Sequence, residues 1–149
     1  CLAFLSTVLL PPSTLLLGPS PRSRINPCRI HAGSMRDLRI CFVTFAEHTG
    51  KITALQFTPK KGNAVLSASL DGTIRAYDLV KYRNFRTLQA NTPTQFSCLT
   101  IEQGGDIVAA GSMEPYDIYL WSLRTGQLLD VLSSHEGPIS GLCFSPPSA

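Results

Sequence analysis

From Leu38 onward the chain alternates short apolar runs of β type with clusters of turn residues, the all-β pattern rather than an alternation of strands with helices. The runs repeat. Ile52 to Pro59 reads ITALQFTP, Ile139 to Pro146 reads ISGLCFSP, and FSCLTIE at Phe96 to Glu102 lies between them. Aligning Leu55, Leu99 and Leu142 gives spacings of 44 and 43 residues. Tyr77 and Trp121 are 44 apart, and His48 and His135 are 87 apart, which is two periods. Three unrelated anchors give one period, so the repeat is the unit to interpret before any single residue.

In the first unit the pattern predicts strands near 52–57, 64–69, 73–79 and 84–88, and in the second near 96–101, 106–111, 117–122 and 128–132. Lys60-Lys61-Gly62-Asn63, Gly104-Gly105 and Thr125-Gly126 supply turns. Asp71-Gly72 between alternating strands predicts a type I′ hairpin, with positive φ at both central residues. A further run at 38–46 precedes the first unit, and 139–144 begins a third. Four short strands per unit of roughly 40 residues describe a propeller blade. The expected fold is all-β, a β-propeller fragment of about two four-stranded antiparallel blades, 52–88 and 96–132, plus flanking strands.

These units resemble the WD-repeat family, whose repeats carry Gly-His near the start and Trp-Asp at the end of the third strand. The match is degenerate. The first unit has Glu47-His48 and Tyr77-Asp78, the second has no His and ends Trp121-Ser122, and the third opens Ser134-His135. The resemblance implies a buried hydrogen-bonded network in each blade, which by position is His48, Ser69, Asp71 and Tyr77 in the first. Glu114-Pro115 replaces Asp71-Gly72 in the second unit, so the network is expected to be broken there, with Trp121 kept as packing. His135 takes the equivalent place in the third.

Composition changes this picture little. Of 149 residues, 44% are hydrophobic and 15% charged, ordinary for a globular chain. The net charge of +3 belongs to the first 40 residues, where five arginines face Asp37; the rest holds eight basic and nine acidic residues. Net charge therefore predicts no phosphate-binding face. Cys1, Cys28, Cys41, Cys98 and Cys143 form no CxxC or Cys/His cluster, so neither zinc nor a disulfide framework is expected. Cys98 and Cys143 lie in apolar runs and read as small buried hydrophobes in a reducing compartment.

Residues 1–37 form an atypical leader. Residues 1–18 are apolar, but Pro11-Pro12 interrupts them, no basic segment precedes them, and they are short of the roughly 20 residues of a membrane span. The stretch to about Arg36 reads as irregular, and the leader as a gene-model artefact, a disordered tail or a targeting segment. Both ends look like cuts. Two blades cannot close a ring, so the polypeptide alone is expected to aggregate through open edges at 38–46 and 139–144.

His48, Ser69 and Asp71 include the residue types of a hydrolase triad, but neither Ser69 nor its neighbourhood has the exposed elbow and oxyanion hole that a nucleophile needs. A buried structural network is the reading, with no catalytic residue, metal or cofactor. Lys81-Tyr82-Arg83-Asn84-Phe85-Arg86 interleaves bases with aromatics, so Lys81, Tyr82, Arg83, Phe85 and Arg86 are candidates for contact with RNA or a partner protein. The alternative there is a solvated outer strand whose alternation points Tyr82 one way and Arg83 the other.

Beyond the generic repeat, CFVTFAEH (41–48), KYRNFRT (81–87), PTQFSC (93–98) and TGQLLDVLSSHEGPISGLCF (125–144) resemble one branch of the WD-repeat family, over about residues 40–147. That branch implies a nucleolar scaffold of the small-subunit processome, acting in 18S rRNA maturation. Its partners would be other WD-repeat proteins of a subcomplex, with pre-rRNA and the snoRNP met mostly indirectly, and with neither a small-molecule substrate nor a membrane. A WD-repeat adaptor in another pathway would need the same blades with different surface strings.

Overall fold

The computed structural model describes residues 8–9, 30–33, 41–59 and 62–146, and every regular element among them is a β-strand. The Lys60-Lys61 part of the predicted turn and most of the 1–37 leader lie outside the described residues. The chain divides into two compact units, residues 1–47 and 48–149.

The first unit contains a sheet of β1 (Val8–Leu9), β2 (Ile30–Gly33) and β3 (Cys41–Phe45), in that order. Two short segments within residues 1–37 are strands, including one in the stretch expected to be irregular. Ile30–Gly33 pairs antiparallel with β3, from Ile30 opposite Phe45 to Gly33 opposite Cys41, and β1 adds to β2 in parallel. Within the predicted run at 38–46, β3 offers its backbone groups to β2, and pairing satisfies both.

The second unit is two antiparallel meanders. The first blade is β4 (Ile52–Phe57), β5 (Ala64–Ser69), β6 (Thr73–Asp78) and β7 (Arg83–Gln89), paired in sequence order. The second is β8 (Phe96–Ile101), β9 (Ile107–Ser112), β10 (Ile118–Ser122) and β11 (Leu128–Leu132), paired likewise. The middle strands read as near-continuous small and apolar runs, AVLSAS and IVAAGS, because both of their faces are covered. β7 instead alternates exposed and covered residues, as an outer strand does.

One core joins the blades. Leu66, Ala68, Ile74, Ala76 and Leu88 of the first pack with Phe96, Leu99, Val108, Tyr119 and Trp121 of the second. A hydroxyl at the second position of each first strand also ties neighbours together. Thr53 Oγ1 lies 3.2 Å from the Ala68 carbonyl of its own blade and 2.7 Å from the Phe96 carbonyl of the next. One repeat on, Ser97 Oγ lies 3.2 Å from the Gly111 carbonyl and 3.0 Å from that of Ile139. The repeat thus persists in hydrogen-bond geometry as well as in hydrophobic pattern.

Two expectations change. The hairpin between β5 and β6 is not type I′: Gly72 has φ +82°, but Asp71 does not share the left-handed region. The Gly72 amide donates to the Ser69 carbonyl at 3.3 Å, so Leu70 and Asp71 are the central residues of a turn that ends on a left-handed glycine. Residues 139–144 form no strand, since no described segment offers them a ladder partner; only Ile139 is buried.

Candidate functional site

The chemistry of the first blade converges on His48, which precedes β4 and is 5% exposed. His48 Nδ1 lies 2.8 Å from Asp71 Oδ2 and 3.2 Å from Thr73 Oγ1, and His48 Nε2 lies 2.7 Å from Ser67 Oγ. A carboxylate only accepts, so Nδ1 carries hydrogen and donates to Asp71. Asp71 is saturated: the Thr49 amide donates to Oδ2 at 3.1 Å, and the Thr73 amide and hydroxyl donate to Oδ1 at 2.9 and 2.6 Å. The network pins the β5–β6 hairpin to the segment that leads into β4.

The hydroxyl partner of His48 is Ser67, not Ser69. Both serines lie on one face of β5, two residues apart, but Ser69 has reached the hairpin, where its Oγ accepts the Asp71 amide at 3.1 Å. Thr73 also belongs to the set. Tyr77 is fully buried in β6, opposite Val65 on one side and Asn84 on the other.

Ser67, His48 and Asp71 have the hydrogen-bond connectivity of a serine hydrolase. Ser67, however, has no exposed surface and sits mid-strand opposite Arg75 in the ladder, so no substrate carbonyl can reach its Oγ. The three groups hold structure together. Burial pushes the Asp71 carboxyl up, but the side-chain hydrogen bonds from Thr73 and His48, the Thr73 amide and the His48 charge outweigh it and hold the pKa at about 2. Because this lies below the ordinary 3.8, the contribution to stability is complete above about pH 4 and is lost as pH falls toward 2. With solvent screening it is worth about 1 kcal/mol. Unfolding free energies measured from pH 5 to pH 2 should fall more steeply in the native chain than in Asp71→Asn; equal slopes would contradict this assignment.

The second blade is built differently. The Asp117 amide donates to Ser112 Oγ at 2.8 Å and the Ser112 amide to the Asp117 carbonyl at 2.9 Å, closing the hairpin, while the Met113 amide donates to the Gln95 carbonyl at 2.8 Å and ties it to the segment leading into β8 without a histidine. Glu114 and Pro115 are exposed. Trp121 is fully buried; its Nε1 donates to the Gln89 carbonyl of the first blade at 3.2 Å. Its ring stacks on Tyr119 at 5.7 Å and meets Phe96 edge-on at 5.5 Å. Trp121 therefore joins two blades rather than closing a network in its own. His135 is exposed and does not join a buried network, because no described hairpin supplies it with an aspartate.

The basic-aromatic segment divides. Tyr82 lies in the turn before β7 with φ +52°, not in a strand alternating with Arg83. Lys81, Tyr82, Arg83 and Phe85 are exposed. Arg86 is not: its Nη2 donates to the Arg124 carbonyl at 2.7 Å and its chain covers Gly126, which commits it to the second blade. Among the described residues no group of three His, Cys, Asp or Glu could hold a metal ion, and no helix is long and apolar enough to cross a membrane. Cys98 is half-buried, but Cys143 is exposed, contrary to its apolar sequence context, because nothing described packs over residues 141–146.

Comparison with known proteins agrees with this architecture. The family model described as WD domain, G-beta repeat matches residues 39–78, ending on Tyr77-Asp78. The chain is 52% identical over 107 residues, 71% of its length, to the Periodic tryptophan protein 2 homolog of Dictyostelium discoideum, and covers 12% of that protein. It is 43% identical over 136 residues to Periodic tryptophan protein 2 of Arabidopsis thaliana, covering 91% of this chain and 14% of the relative, so that match takes in part of the leader. The Mus musculus homolog is 54% identical over 106 residues, 71% of this chain and 11% of the relative. The chain thus spans between a tenth and a seventh of the length of these relatives.

Proposed function

Since the chain is a WD-repeat protein resembling periodic tryptophan protein 2, we propose that it is part of a non-catalytic scaffold in ribosome biogenesis, supporting 18S rRNA processing within the small-subunit processome. The observation that carries the reading is the identity of 52% with the Dictyostelium relative over 107 residues and 54% with the mouse relative over 106, each 71% of this chain. Identity at that level over a stretch longer than two repeats points to one lineage rather than to the blade fold alone.

The physics of the blades suits such a role. The titratable cluster of the first blade is consumed in holding a hairpin, while rims, turns and outer strands face solvent as surfaces for other proteins. On this reading the partners are WD-repeat proteins of a processome subcomplex, pre-rRNA and the snoRNP are met mainly through them, and the protein resides in the nucleolus. Affinity purification from cells expressing the full-length tagged protein is expected to recover pre-ribosomal particles with a box C/D snoRNA. Recovery of a different assembly without pre-rRNA would favour an adaptor in another pathway. Direct RNA contact through Lys81, Arg83 and Arg86 is weakened as an alternative by the engagement of Arg86 with the Arg124 carbonyl.

A further inference from the structure

The turn before β7 and the start of that strand hold three of the exposed large apolar side chains within six residues: Val80 at 67%, Tyr82 at 44% and Phe85 at 41%. The matching turn of the second blade is quite different. Gly126, 44 residues after Tyr82, has φ +80°, and a Cβ there would come within 2.9 Å of Arg86 Cδ. The second turn is therefore glycine-built and covered by an arginine of the neighbouring blade. The first turn demands the same left-handed backbone but places a tyrosine in it at φ +52°. A bulky L-residue is disfavoured there, and the strain is ordinarily accepted where a side chain has work to do. Burial does not compensate it, since the ring is nearly half exposed.

The charge around this turn is cationic. Lys81 and Arg83 flank Tyr82, and Arg86 follows. The nearby acid, Asp78, accepts the Val80 and Lys81 amides at Oδ1, 2.8 and 2.9 Å, and its charge also interacts with Lys81 and Arg83, so two cations share one carboxylate and a net positive charge remains.

We propose that Val80, Tyr82 and Phe85, framed by Lys81 and Arg83, form a docking surface for an acidic, apolar-bearing segment of a partner protein. Apolar area at 80, 82 and 85 takes the partner's hydrophobic side chains, and the flanking cations take its carboxylates. RNA is the poorer fit. The affinity of a phosphate chain rests on neutralising several phosphates, Arg86 gives its Nη2 to a carbonyl, and exposed Val80 offers nothing for a base to stack on. This surface deepens the scaffold reading but does not depend on the pathway, so its test is independent of co-purification with pre-ribosomal particles.

The test is Tyr82→Gly, with anisotropy of a labelled twelve-residue peptide alternating Glu with Phe or Leu, the same peptide with Gln for Glu, and a twelve-nucleotide uridine oligomer. Tyr82→Gly relaxes the backbone, so its thermal midpoint should equal or exceed that of the native protein. Affinity for the acidic peptide should nonetheless drop at least tenfold, as it should for the Gln peptide on the native protein. Lys81→Gln with Arg83→Gln should produce a comparable loss without altering the fold. Unchanged acidic-peptide binding by Tyr82→Gly, no acidic-peptide binding to the native protein, or tighter binding of the uridine oligomer would each overturn the proposal.

Discussion

Replacing Trp121 with alanine is expected to destabilise the protein by about 3 to 5 kcal/mol, the range for deleting a fully buried large aromatic. The expectation rests on three contacts that no other residue duplicates: the stack on Tyr119, the edge-on approach to Phe96, and the indole hydrogen bond to the Gln89 carbonyl of the first blade. Phe96 and Tyr119 meet edge-on as well, at 5.9 Å, so the three rings brace one another and a hole at Trp121 loosens the other two. Trp121→Phe keeps most of the area and loses the hydrogen bond, and should cost about 1 to 2 kcal/mol, the usual worth of such a bond plus a small cavity. Urea unfolding measures both. A loss under about 1 kcal/mol for Trp121→Ala would mean that the interface between blades is not packed as described.

His48→Ala is the second large effect, at about 3 kcal/mol, because it leaves a cavity, removes the imidazole donor to Asp71 and strands a buried hydroxyl. Asp71 would keep its bonds from Thr49 and Thr73, whereas Ser67, which has no exposed surface, would keep only a long contact of 3.5 Å with the Arg75 carbonyl. The cost should therefore come mainly from the hydroxyl and the cavity, and His48→Ala with Ser67→Ala should be less unstable than the sum of the two single changes. His135→Ala is the internal control. That side chain is exposed, and its removal should alter stability by less than about 0.5 kcal/mol. Equal losses at the two histidines would show that the aligned positions act alike and would contradict the assignment.

Much of the fold was legible in the sequence because its units are local. Each strand of the blades pairs with its sequence neighbour, and turn residues mark each reversal, so apolar runs between turn signals place 64–69, 96–101 and 128–132 on the observed residues. Errors arose where the answer depends on something distant. Ser67 and Ser69 share a face and differ only in distance from the hairpin end, which is settled by where His48 arrives from outside the strand. Arg86 reads as a solvated base until the second blade brings the Arg124 carbonyl and Gly126 beneath it. The segment 139–144 has a strand's composition, but a strand exists only with a partner to bond to. Thr53 and Ser97 carried a signal that was missed: a hydroxyl at the second position of each aligned run, 44 residues apart.

The central claim is that two four-stranded blades form one cooperative body through a shared core. Native-state hydrogen exchange on the full chain tests it most directly. β5 and β6 of one blade and β8 and β9 of the other should be protected to the same free energy, respond to denaturant with the same slope, and exceed the outer strands β7 and β11. Two blades opening independently, with separate free energies and separate slopes, would contradict it.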